Sequence, residues 1–159
     1  MTMPRRILPG DVYMVTRRCT QRQFLLKPTK RTNQILTYCL AVAAEKTNVL
    51  IHSVCAVSNH YHAIVTDSEG RISEFWEYFH KYVAKCINAS LGRWENLWDN
   101  GAPSAVRLET KDAILAKIVY TLTNPVQAGL VKSGRKWPGL WGYKTGDTIS
   151  VKRPEVFFR

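Results

Sequence analysis

The stretch Ser53-Val54-Cys55-Ala56-Val57-Ser58-Asn59-His60-Tyr61-His62-Ala63-Ile64-Val65-Thr66 decides how this chain folds. It is rich in β-branched and small apolar residues and lacks proline and glycine, so it reads as strand central to a sheet. It is also too long for one typical strand. A tight turn or bulge is therefore expected at Ser58-Asn59, between a strand over 48–57 and another over 60–66. Side chains alternate between the faces of a strand. His60 and His62 then leave one face together while Tyr61 turns to the other. Two imidazoles side by side on a rigid strand form half of a divalent-metal site, although His-x-His alone is equally compatible with two packing residues.

Working outward, Asp11–Cys19 reads as a first strand entered after Pro9-Gly10. Arg17, Arg18, Lys30 and Arg31 belong to a basic cluster in and around the following loop. Between Thr32 and Lys46, Ile35, Leu36, Cys39, Leu40, Val42 and Ala43 recur at helical spacing. Past the turn Asp67-Ser68-Glu69-Gly70, a second amphipathic helix spans Ile72–Leu91 and ends at Gly92. Ala105–Leu108 is a short strand. Thr110–Thr123 is a third helix with Thr110 as its N-cap, stopped by Asn124-Pro125. Its apolar stripe is Ile114, Leu115, Ile118, Val119 and Leu122. Tyr120 and Asn124 lie four apart on another face, with Lys117 one turn earlier. Lys132–Lys152, holding Trp137, Pro138 and Trp141, reads as a poorly ordered tail. The order β-α-β-β-α-β-α describes an α+β, ferredoxin-like antiparallel sheet with two helices on one face. The other sheet face is then available for a site.

Composition narrows the function. The 159 residues fit one domain, and no apolar run approaches the ~18 residues of a membrane span. The N-terminus lacks the apolar core of a secretory signal, so a cytoplasmic protein is expected. Cys19, Cys39, Cys55 and Cys86 are scattered, which argues against a zinc ribbon or disulfide scaffold. The 23 Lys plus Arg against 12 Asp plus Glu give +11, an electrostatic footprint for a polyanion. Five Trp and seven Tyr among those cations suit unstacked, single-stranded bases.

Val57-Ser58-Asn59-His60-Tyr61-His62-Ala63-Ile64-Val65 resembles the His-hydrophobic-His signature of single-tyrosine HUH nucleases. Tyr120-Thr121-Leu122-Thr123-Asn124-Pro125-Val126-Gln127-Ala128-Gly129-Leu130-Val131 resembles the helix that carries their nucleophile. Both are similar to the REP-associated tyrosine transposases, relatives of the small insertion-sequence transposases, over about residues 9–143. Tyr61 stands where an aliphatic residue is usual, and Ser58 where proline is frequent. The resemblance implies the HUH nuclease fold, with a Y1-type transposase domain over 1–143 and a C-terminal tail over 144–159. It implies a DNA endonuclease and strand transferase with Tyr120 as nucleophile and Mg²⁺ or Mn²⁺ on His60, His62 and Asn124. The partner that the resemblance implies is single-stranded or hairpin DNA, of the repetitive extragenic palindromic kind, with the nucleoid as the expected location. Arg17, Arg18, Lys30, Arg31 and Lys117 are its expected phosphate contacts, and monomer and homodimer stay open. From the residues alone, two other classes are compatible: a nucleic-acid-binding domain that does not cut, and a small-molecule metal hydrolase.

Overall fold

Ser58 and Asn59 do make the turn of a hairpin, with Val57 paired to His60 at its closed end. The computed structural model describes residues 6–143 and 149–157. Its elements are β1 (Asp11–Arg18), α1 (Lys30–Thr47), β2 (Val49–Val57), β3 (His60–Asp67), α2 (Ile72–Leu91), β4 (Ser104–Leu108), α3 (Lys111–Gln127) and β5 (Trp141–Tyr143). The strands form one antiparallel sheet in the order β4-β1-β3-β2-β5. The first four strands have the expected ferredoxin-like arrangement, and β5 extends it beyond β2. No described helix is long and apolar enough to cross a membrane.

Period-two alternation sorts the sheet into two unequal faces. Tyr13, Val15, Tyr61, Ala63 and Val65 point to one side and pack with Ile35, Leu36, Cys39 and Leu40 of α1 and Phe75, Phe79, Val83 and Ile87 of α2. Burial of each such side chain is worth about 1.5–3 kcal/mol, so this layer carries most of the stability. The opposite face holds a small cluster of Met14, Ile64 and Leu108, onto which α3 sets Ile114 and Ile118. All four cysteines are buried and free.

Helix ends follow local chemistry. Thr29 Oγ1 accepts from Thr32 N at 3.1 Å, and Thr110 Oγ1 from Ala113 N at 3.0 Å, the latter as expected from the sequence. For α2 the cap comes from the end of β3. The buried Asp67 carboxylate accepts from Arg71 N at 2.7 Å and from Ile72 N at 2.9 Å.

Three expectations are corrected. Asn124-Pro125 does not stop α3, which runs on to Gln127 with Pro125 inside it. A proline this near the end removes one bond, to Thr121 O, and the last turn closes through Ala128 N on Asn124 O and Leu130 N on Pro125 O. The predicted apolar stripe of α3 is split. Ile114 and Ile118 face the sheet, whereas Leu115 and Val119 are 60% and 58% exposed. The helix instead buries Thr121 and Pro125.

The third correction concerns the segment after α3. Trp141 starts β5, paired with β2 through Cys55. Trp137 Nε1 donates to Ala56 O at 2.9 Å, and Trp141 Nε1 to Leu122 O at 2.8 Å. Farther on, Phe157 is buried edge-on to Tyr38 of α1 and Tyr82 of α2. The expected junction at 144 and residues 1–5 of the basic lead-in lie outside the described residues.

Candidate active site

His60 and His62 emerge from β3 on the α3 side, their ring centroids 4.9 Å apart and their planes nearly perpendicular. What makes them competent donors is the partner of each Nδ1. Thr16 lies opposite His62 in the β1–β3 pairing, and its Oγ1 is 2.8 Å from His62 Nδ1. Asn59 Oδ1 is 2.6 Å from His60 Nδ1, and an amide oxygen can only accept, so Nδ1 carries the hydrogen. With Nδ1 protonated, the Nε2 lone pair is left for a cation. Thr16 can hold His62 in the same tautomer.

Electrostatics hold both rings in the neutral form that a metal requires. Burial lowers the His60 pKa, and Arg18, its cross-strand neighbour, adds to this. Burial likewise takes His62 down to about 4, helped by His60, Arg18 and Lys117. Two neutral imidazoles suit a borderline cation such as Zn²⁺ better than Mg²⁺ or Mn²⁺, which they can hold where the remaining coordination is oxygen from an amide, water or phosphate. Among the described residues no group of three His, Cys, Asp or Glu side chains gathers around a cation position.

The third helix brings Tyr120 against the imidazole pair. The Tyr120 ring meets the His62 ring edge-on at 5.4 Å between centroids, and the side chain is 36% exposed. Lys117 Nζ sits 5.3 Å from the centre of the Tyr120 ring, one turn earlier on α3. Asn124 follows one turn after Tyr120, half-buried and still helical. A cleft of about 370 Å³ opens beside these groups along β1 and β4, lined by Thr16, Arg18, Pro103 and Ser104 among others. Its links to the imidazoles are Thr16, which lines it and bonds His62, and Arg18, which pairs across the sheet with His60.

The basic residues picked from sequence divide into distinct environments. Arg18 is exposed at the His60 end of the sheet. Lys30 and Arg31 are exposed in the first turn of α1. Arg17 points to the other side of the sheet, where Nη1 donates to His80 Nδ1 at 3.0 Å and Nη2 to Gly101 O at 3.2 Å. Because Arg17 can only donate, His80 carries its hydrogen on Nε2 and gives it to Tyr61 Oη at 2.6 Å. Tyr61, the unusual middle residue of His-x-His, thus spends its hydroxyl on a buried network away from the site. Thr16 and Asn59 are the site residues that pattern reading missed. Asn59 had a signal in its adjacency to His60, and Thr16 none.

No family model matches the chain, and no curated protein matches it. Solved structures do. The chain is similar to a REP-associated tyrosine transposase bound to a REP hairpin, with a TM-score of 0.71 and 21% identity over 87% of this chain and 81% of that one. It is also similar to a candidate transposase from Deinococcus radiodurans, with a TM-score of 0.52 and 14% identity over 78% of this chain and 97% of that one. The α+β architecture, with its five-stranded antiparallel sheet and three helices, is the fold of the REP-associated tyrosine transposases.

Proposed function

We propose that the chain is a metal-dependent endonuclease and strand transferase for single-stranded or hairpin DNA, with Tyr120 as its nucleophile. The observation that carries this reading is the edge-on contact of Tyr120 with His62, 5.4 Å between ring centres, beside a second imidazole presented for a cation. Support comes from the +11 charge and from a shared fold with a transposase bound to a REP hairpin.

His60 Nε2 and His62 Nε2 would hold Mg²⁺ or Mn²⁺, with the Asn124 amide oxygen as third protein donor. When bound, that ion supplies positive charge at a non-bridging oxygen of the scissile phosphate. Arg18, exposed beside His60, attracts the strand to the cleft. Tyr120 Oη, its proton given up to solvent, attacks phosphorus in line. The Oη–P bond forms as the P–O3′ bond breaks, and the departing 3′ oxygen takes a proton. The product is a 5′-phosphotyrosyl link and a free 3′-OH. The phosphoester energy is retained, so attack by a second 3′-OH regenerates Tyr120 and joins a new strand. Lys117, with Nζ 5.3 Å from the centre of the Tyr120 ring, would contact the phosphate brought to that side chain.

The test is incubation of the protein with single-stranded and hairpin oligonucleotides and Mn²⁺, followed by denaturing electrophoresis. A covalent protein–DNA adduct is expected, and Tyr120→Phe should abolish it while leaving DNA affinity intact. An adduct that survives Tyr120→Phe sinks the nucleophile assignment. DNA binding without any adduct leaves a binding domain that does not cut.

A further inference from the structure

Outside the cleft, at the closed end of the β2–β3 hairpin, two aromatic rings stand in water. Trp94 is 97% exposed and Phe24 62% exposed. They sit on different loops, 19–29 and 92–103, yet these are fastened to each other and to the hairpin turn. Thr20 N donates to Leu97 O at 2.8 Å, and Arg93 Nη1 to Gln23 Oε1 at 3.4 Å. Cys19 N donates to Asn59 O at 2.8 Å, and Leu26 N to Ser58 O at 2.8 Å. Asn59 Nδ2 reaches Arg22 O at 3.4 Å while its Oδ1 holds His60. The ring-bearing loops are therefore fixed relative to the imidazole pair.

Two further observations single out this surface. Gln21 and Arg22 both adopt left-handed backbone conformations, with φ of 51° and 55°, which are uncommon for non-glycine residues and persist where the surrounding structure constrains them. The charge is one-sided: between Asp11 and Glu45 the chain has Arg17, Arg18, Arg22, Lys27, Lys30 and Arg31 and no carboxylate. The facing loop carries two carboxylates, Glu95, turned back onto Trp94 N at 3.2 Å and 3.8 Å from Arg93, and the exposed Asp99, whose charge acts on Arg17. Exposed rings among cations match a flexible polyanion whose bases can be unstacked, and do not match an acidic or apolar protein groove alone.

We propose that Phe24 and Trp94 form a stacking platform for unpaired bases flanking the DNA that enters the site at His60. The platform rests on the DNA-processing reading given above, and it adds where the single-stranded flank runs. Phosphates of that flank meet Arg18, Arg22 and Lys27, and ring faces take the bases without reading their sequence.

The test uses the full chain and fluorescently labelled hairpin oligonucleotides, one blunt and others with an unpaired thymidine tail on either side. Trp94→Ala and Phe24→Ala should each weaken binding of a tailed hairpin by roughly 5- to 150-fold, the range that alanine replacement of stacking rings produces. Blunt-hairpin affinity and the salt slope should hold, because no phosphate contact is lost. Trp94→Phe should restore most of the affinity. Unchanged binding of both tailed probes by Trp94→Ala overturns the platform, as does equal weakening of tailed and blunt probes. A loss of self-association with DNA affinity intact also overturns it, assigning the rings to a protein contact. Affinity is read without cleavage, so a failed platform is distinguishable from a failed nucleophile, which the Tyr120 adduct reports.

Discussion

At the scale of single residues, metal readiness comes from Thr16 and Asn59 as much as from the histidines. Each occupies the Nδ1 of one imidazole: Asn59 leaves the Nε2 lone pair of His60 unprotonated, and Thr16 can do the same for His62. Thr16→Val keeps the shape of the strand residue and removes the hydroxyl, leaving a nitrogen of the buried His62 ring without its partner. His62 is then free to rotate or change tautomer. Losing such a partner ordinarily reduces metal affinity or activity about 10- to 100-fold. We expect that loss in Mn²⁺ titrations of Thr16→Val, followed by adduct yield, with the melting temperature lowered by several degrees and the protein still folded. Full Mn²⁺ affinity in a folded Thr16→Val protein would remove Thr16 from the site. Arg17 makes the contrasting case. Its guanidinium is committed to His80 and to loop carbonyls, so Arg17→Ala should lower stability more than it lowers the salt slope of DNA binding, and Arg18→Ala the reverse.

At the scale of elements, α3 carries the proposed nucleophile and is lightly held, burying only Thr121 and Pro125 among its described residues. It rests on a small cluster with Met14, Ile64 and Leu108, on the Trp141 indole at Leu122 O, and on the close approach of Gly134. A Cβ at Gly134 would stand 2.5 Å from Leu122 O and 2.9 Å from Trp141 Nε1, so the loop and helix must part to admit it. Gly134→Ala should therefore cost about 1–3 kcal/mol, concentrated in α3. Hydrogen exchange would show this as faster exchange across Lys111–Gln127 with α1 and α2 still protected. Uniform protection throughout would mean that the helix is held by other contacts. The same element shows what can be read in advance. Strands and helices with strong periodicity, β3 and α2 above all, were legible, and so was the His pair, because alternation on a strand needs no distant information. The end of α3 was misread because proline breaks helices only where turns remain to be broken. The role of 132–143 was hidden because Trp-Gly-Tyr has no alternation, and its order depends on indoles bonding to backbone far away in sequence. Thr16 was invisible for the same reason, its partner lying across the sheet.

At the scale of the whole molecule, the chain keeps every one of its four histidines short of protons. His80 is pushed well below its ordinary 6.5 by burial and by Arg17, His62 falls to about 4, and burial lowers His52 and His60. In the unfolded chain all four titrate near 6.5. Below that pH the unfolded state binds more protons than the folded state, so stability rises with pH there and falls on acidification. Above about pH 7.5 all are neutral in both states and the effect vanishes. For a buried histidine that stays neutral when folded, each pH unit below 6.5 costs about 1.4 kcal/mol. Thermal unfolding followed from pH 7.5 to 5, above the main carboxylate range, should show the melting temperature dropping steadily once pH passes 6.5. His80→Gln isolates one contributor, since its amide can still accept from Arg17 and donate to Tyr61 while carrying no titratable group. That variant should be less sensitive to acid than the parent whatever its stability at pH 7.5. A parent melting temperature that stays flat from 6.5 to 5 would show that the imidazoles are protonated in the folded chain. The tautomers that aim His60 and His62 at a cation would fall with it.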